Sequence, residues 1–70
     1  MITLGTLIQT DHDVWVKYKD HTYQFIRLTL VKSPDTGEWY RGASYTNGLE
    51  FFVRELNDFQ VKFQITEAPT

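Results

Sequence analysis

The sequence predicts an all-β domain, a small SH3-like barrel of five to six strands with one short helical turn before the last strand. Three observations carry this expectation. Apolar residues alternate with polar ones along most of the chain, the period of strands. Gly, Pro, Asn and Asp gather between the alternating runs, where turns require them. The length of 70 residues, 41% hydrophobic and 23% charged, fits one ordinary globular domain and not a disordered chain.

Each element follows in order. Ile2 to Gln9 reads as a first strand, with Ile2, Leu4 and Ile8 on one parity and Leu7 on the other. Asp11-His12-Asp13 is a polar break. In Val14-Trp15-Val16-Lys17-Tyr18 the more apolar phase, Val14, Val16 and Tyr18, faces inward, and Trp15 and Lys17 face outward. Lys19-Asp20-His21 makes a turn. The run from Thr22 to Lys32 switches phase, with Tyr23 and Phe25 on one parity and Ile26, Leu28 and Leu30 on the other. A β-bulge near Phe25-Ile26 brings both sets inward and bends the strand, as a small barrel requires.

Ser33-Pro34-Asp35-Thr36-Gly37-Glu38 is the clearest loop. Trp39 to Tyr45 is a strand whose Gly42 marks a bulge or a close backbone approach. Asn47-Gly48 is the strongest short-range hairpin signal and predicts a type I′ turn into Leu49 to Val53. Asn57-Asp58 suits one helical turn. Val61, Phe63 and Ile65 then alternate with polar residues as a last strand. Residues 1–66 form the single barrel domain, and 67–70 read as a frayed tail. An OB-like barrel is the second choice of fold.

Charge and composition exclude several function classes. Seven Lys and Arg against nine Asp and Glu give a net charge of −2. The basic excess of a protein living by non-specific phosphate contact is absent. With no cysteine, disulfide scaffolds, thiolate zinc sites and cysteine nucleophiles are impossible. The lack of disulfides and of a signal-peptide start points to a cytoplasmic protein, and no apolar run approaches the length of a membrane span.

Catalytic motifs are also missing: no phosphate-binding loop, dinucleotide fingerprint or nucleophile elbow occurs. Asp35-Thr36-Gly37 matches the aspartic-protease triplet, but Ser33-Pro34 before it and Glu38-Trp39 after it are turn chemistry. Asp11-His12-Asp13, with His21, offers a sparse ligand set for a metal. The expectation is therefore no enzyme, no metal and no cofactor.

The aromatic residues carry the functional signal. Five Phe, four Tyr and two Trp are too many for one small interior. In the adjacent pairs Trp39-Tyr40 and Phe51-Phe52, one member of each must leave the core, because neighbours on a strand point to opposite faces. Exposed aromatics beside Arg anchor protein interfaces. The candidate binding residues are Trp15, Lys17, Arg27, Trp39 and Arg41.

The chain resembles a small uncharacterised bacterial and phage family, a β-domain of unknown function. That family's pattern runs from His-Tyr-Lys-Gly through a Thr-Gly-Glu turn and Tyr-Arg to Val-Arg-Pro-Leu with Phe. The matching residues are Tyr18-Lys19, Tyr23, Thr36-Gly37-Glu38, Tyr40-Arg41, Tyr45, Gly48-Leu49, Val53-Arg54, Leu56 and Phe59. Lys17, Asp20 and Glu55 depart from it, standing for its histidine, glycine and proline. The likeness implies a compact β-fold of bacterial or phage origin and assigns no activity.

These readings converge on a non-enzymatic binding module that contacts another protein through an aromatic and arginine face. The alternative is a nucleic-acid-binding accessory domain with a local Lys17-Arg27-Arg41 patch and aromatic stacking. A third reading, an inhibitor mimicking nucleic acid with carboxylates, fits poorly with so balanced a charge.

Overall fold

The computed structural model describes residues 1–8 and 13–69. Five strands form one antiparallel sheet: β1 (Val14–Tyr18), β2 (His21–Lys32), β3 (Trp39–Thr46), β4 (Phe51–Glu55) and β5 (Gln64–Thr66). Their order across the sheet is β4-β3-β2-β1-β5. Two short helices, α1 (Leu4–Leu7) and α2 (Leu56–Lys62), complete the chain.

The β1–β2 hairpin closes on Lys19 and Asp20, both at positive φ (49° and 66°), which gives the mirror-image turn that suits twisted strands. The phase switch in β2 is resolved by a bulge. Phe25 pairs with Tyr45, yet Arg27 pairs with Ser44, so Ile26 is the extra residue. Tyr23, Phe25 and Leu28 thereby pack into one core, but Ile26, the bulged residue, and Leu30, beyond the flanking strands, are exposed and do not turn inward as expected.

That core lies on one face of the sheet. Val14, Val16, Phe25, Ala43 and Tyr45 are buried there beneath Ile2, Leu7, Phe59 and Phe63. Phe59 and Phe63 stack with ring centres 4.4 Å apart, and Tyr18 stacks on Phe63 at 4.9 Å. Ring area buried this way dominates the stabilisation of so small a domain.

The sheet is not closed into a barrel. The SH3-like closure expected from the sequence is replaced by a helical cover over an open sheet. Leu56, Phe59 and Phe63 supply the second layer that a barrel would obtain from its own strands. The helical turn before the last strand is present, but it is longer than the sequence suggested. Val61 belongs to α2 and is 64% exposed, so the period-two pattern through Val61, Phe63 and Ile65 does not describe a strand. Helical spacing wins because Leu56, Phe59 and Phe63 fall on one stripe. Glu55 caps the helix as well, accepting from the amides of Asn57 at 2.9 Å and Asp58 at 3.0 Å.

The strand expected over Ile2 to Gln9 is also corrected. Residues 4–7 are one helical turn, capped by Thr3, whose hydroxyl accepts from the Thr6 amide. Only Ile2 and Leu7 are buried, a spacing that no strand face produces. The Ile2 amide donates to the Gln60 carbonyl and Gln60 Nε2 donates to the Ile2 carbonyl, each at 3.0 Å. These bonds tie the N-terminal segment to α2. Gln9 and the Asp11-His12 part of the metal-ligand reading lie outside the described residues.

The Asn47-Gly48 hairpin forms, but its turn is not type I′. Four residues, Asn47 to Glu50, join β3 to β4, and only Gly48 has positive φ (97°). Asn47 Oδ1 accepts from the amides of Leu49 and Glu50, both at 2.8 Å, and so satisfies the loop from the side chain. Asp35-Thr36-Gly37 is a turn, held by the Gly37 amide donating to the Ser33 carbonyl at 2.9 Å.

Candidate binding face

Residues directly opposite each other in antiparallel strands share a face, so the register assigns every strand residue to one side. On the side away from the helices, one row runs Phe51, Thr46, Gln24, Trp15, Thr66 across the sheet. A second row is Val53, Ser44, Arg27, and a third is Glu55, Gly42, Thr29. Tyr40 and Val31 follow, and Lys17 lies at the other end between Thr22 and Gln64. Among the described residues, no helix covers this side.

The face is apolar at its margins and polar at its centre. Phe51 is 76% exposed, Val53 51% and Tyr40 37%. Ser44 Oγ donates to the Arg27 carbonyl at 3.0 Å, fixing the strand just past the bulge. A Cβ at Gly42 would stand 2.7 Å from Val53 Cγ1 and 3.1 Å from Val31 Cγ2. The close approach expected at this glycine is thus made by side chains: the two valines lean over it and join into one apolar surface.

Trp15 faces outward as the period-two reading of its strand required. It is half-buried, and with Gln24, Thr46 and Pro69 it lines a hollow of about 200 Å³. The pair Phe51-Phe52 divides as its adjacency demanded. Phe51 is exposed, and Phe52 packs inward with its ring centre 5.4 Å from that of Tyr45.

The five candidate residues do not form one patch. Trp15, Lys17 and Arg27 lie on the open face. Trp39 pairs with Lys32 and Arg41 with Leu30, which places both on the opposite side. Within β3, Trp39 and Arg41 share the parity of the buried Ala43 and Tyr45 and so turn to the helix side, whereas the bulge in β2 carries Arg27 to the side of Trp15. Trp39 and Arg41 stand where the β2–β3 hairpin runs past its neighbours: β1 flanks β2 only as far as Phe25, and β4 flanks β3 only as far as Gly42. Trp39 and Leu30 are 64% and 55% exposed there. Tyr40 is exposed too, so neither member of the Trp39-Tyr40 pair enters the core. Sequence reasoning required one of Phe51 and Phe52 to leave the core without saying which, and it missed Val53 and Val31 as open-face residues. Their apolar character read as core, and only the pairing register shows otherwise.

One further charged cluster borders the core. Asp58 accepts from Arg54 at 2.7 Å and lies 3.1 Å from Lys62 Nζ. The Arg54 guanidinium lies over the Tyr18 and Phe63 rings, 5.3 and 5.5 Å from their centres. The hydrogen bond from Arg54, reinforced by Lys62, holds the Asp58 carboxyl below the usual carboxylate range.

Compared with protein-family models, with curated proteins and with solved structures, the chain matches none. Among the described residues, no helix is long and apolar enough to cross a membrane.

Proposed function

We propose that this chain is a non-enzymatic binding module whose open sheet face docks on another protein. The observation that carries the reading is the uncovered surface of Phe51, Val53, Val31 and Tyr40 around Arg27. A contiguous apolar surface on a small soluble fold marks a contact site more often than it serves stability. Arg27 and Lys17 add positive charge, and the face's one carboxylate, that of Glu55, is engaged in capping α2. The partner surface that complements this face is apolar with acidic groups. Trp15 and Arg27 supply the side-chain types that dominate interface energetics.

Capture from a bacterial lysate tests this, run with and without nuclease, on wild type and on two variants whose folding is verified by circular dichroism. Under the proposal a nuclease-resistant protein is retained by wild type and by Trp39→Ala, and is lost from Phe51→Ser/Arg27→Glu. Retention of the same partner by the double variant rejects the open face. Loss of all capture after nuclease favours the nucleic-acid reading instead.

A further inference from the structure

We propose a second site, which borders the open face and shares Lys17 and Gln64 with it: the hollow lined by Lys17, Tyr18, Lys19, Asp20, Lys62 and Gln64 binds a phosphate group. Three separate pieces of chain build it. Strand β1 brings Lys17, whose register partner on β5 is Gln64. The left-handed turn after β1 swings Lys19 over the Tyr18 ring, with Nζ 5.2 Å from its centre. The last turn of α2 contributes Lys62.

Charge is the first argument. The chain as a whole carries −2, yet three of its seven Lys and Arg residues line this hollow, Lys17, Lys19 and Lys62, with Arg54 behind it over the Tyr18 ring. Their local counter-charges are Asp20 and Asp58, and Asp58 is shared between Arg54 and Lys62. An acidic protein thus keeps one end with a positive surplus, which a dianionic group matches better than a single carboxylate. Shape and donors are the second argument. The volume of about 240 Å³ is below the roughly 300 Å³ at which sites for drug-sized molecules begin. It suits a small compact anion. Three ammonium groups and the Gln64 amide are hydrogen-bond donors, and lysine binds phosphate as a point charge. Asp20 is the one carboxylate on the rim and opposes the anion.

An inorganic ion and a nucleotide present the same phosphate chemistry, and both serve as probes. Amide chemical shifts are followed by NMR as pyrophosphate, a nucleoside diphosphate or sodium chloride at matched ionic strength is added. The expected result is saturable shifts at residues 17–20 and 62–64 with pyrophosphate and none with chloride. Tighter binding of the nucleoside diphosphate assigns the source to a nucleotide, and equal binding assigns it to the inorganic ion. Lys19→Gln and Lys62→Gln each weaken binding about fivefold, the effect of one near-contact charge in a water-rich setting. Asp20→Asn strengthens it, and Lys32→Gln, at the far end of β2, leaves it unchanged. Non-saturating shifts, or shifts equally large around Arg27, Lys32 and Arg41, overturn the site. Lys17 borders both sites, but the tested Lys19 and Lys62 do not belong to the open face, so this test can fail without touching the docking proposal.

Discussion

The two faces of one sheet have been put to opposite uses. On the helix side, Phe59 and Phe63 are essentially inaccessible and every neighbouring ring finds another ring. On the open side, Phe51 and Val53 occupy the same strand as Phe52 and Arg54 but have no layer above them. Alternation along β4 therefore separates residues that stabilise the fold from residues free to contact something else. The comparison also teaches where aromatic surplus goes. A domain of this length can cover only one side of its sheet, so the remaining apolar side chains collect on the other.

The largest expected effect comes from the covered side. Phe59→Ala removes a fully buried ring from the centre of the aromatic cluster and costs about 3–5 kcal/mol, close to the whole stability of so small a domain. Urea denaturation should find the variant largely unfolded without denaturant. A midpoint near that of wild type would mean that α2 does not form the lid.

Between the faces lies Gly42, and its substitution sharpens the contrast. Gly42→Ala drives a methyl into Val53 and Val31 and costs about 1–3 kcal/mol through overpacking. The valines are stiff at χ1 and cannot easily swing aside. Adding Val53→Ala should return much of the loss, a non-additive coupling that a double-mutant cycle in urea measures. Additive effects would show that the two valines do not cover the glycine.

Much of this fold was legible in the sequence, and the failures have identifiable causes. The β2 bulge was visible because Tyr23-Phe25 and Ile26-Leu28-Leu30 change parity, although of the second set only Leu28 packs against the core and Ile26 and Leu30 are exposed. The outward position of Trp15 followed from Val14 and Val16 in the same way. By contrast, Val61-Phe63-Ile65 satisfied a strand period while Leu56-Phe59-Phe63 satisfied a helical one. Glu55 as a helix cap settled the competition, and a glutamate there is a less obvious starter than Ser or Asp. The open face was hidden for another reason. Adjacency sends one of Phe51 and Phe52 outward, but which one, and that Val53 goes with Phe51, shows only once the strand pairing is known. The separation of Trp39 and Arg41 from Trp15 depended on how strands pair: they share the parity of Tyr45, whose partner Phe25 faces the core beside Val14, and no single-strand pattern reveals that pairing.

A smaller effect is expected at Asp58, on the border of the covered side. Its carboxyl is held below the ordinary range by Arg54 and Lys62, so the folded protein binds this proton less readily than the unfolded chain. The contribution is fully present above the unfolded value of about 3.9 and is lost as pH falls through the lower folded value. Asp58→Asn should therefore melt below wild type at neutral pH, and the gap should close in acid, below about pH 4. Melting followed by circular dichroism across that range checks the sign. A gap that widens in acid would contradict the ion pairs as described.

The smallest stability effect belongs to the open face, and there a null result is the informative one. Phe51 is 76% exposed and its burial adds little to folding, so Phe51→Ser should move stability by no more than about 0.5 kcal/mol. The same substitution in Phe52, one residue along, removes a ring stacked on Tyr45 and should cost several times as much. The pair isolates the faces at nearly fixed sequence position, since both residues lie in one strand and differ only in which side they present. Urea titration of the two variants beside wild type gives the ratio directly. Equal losses would mean that Phe51 is buried against the molecule itself, and the open face would then no longer be available to a partner.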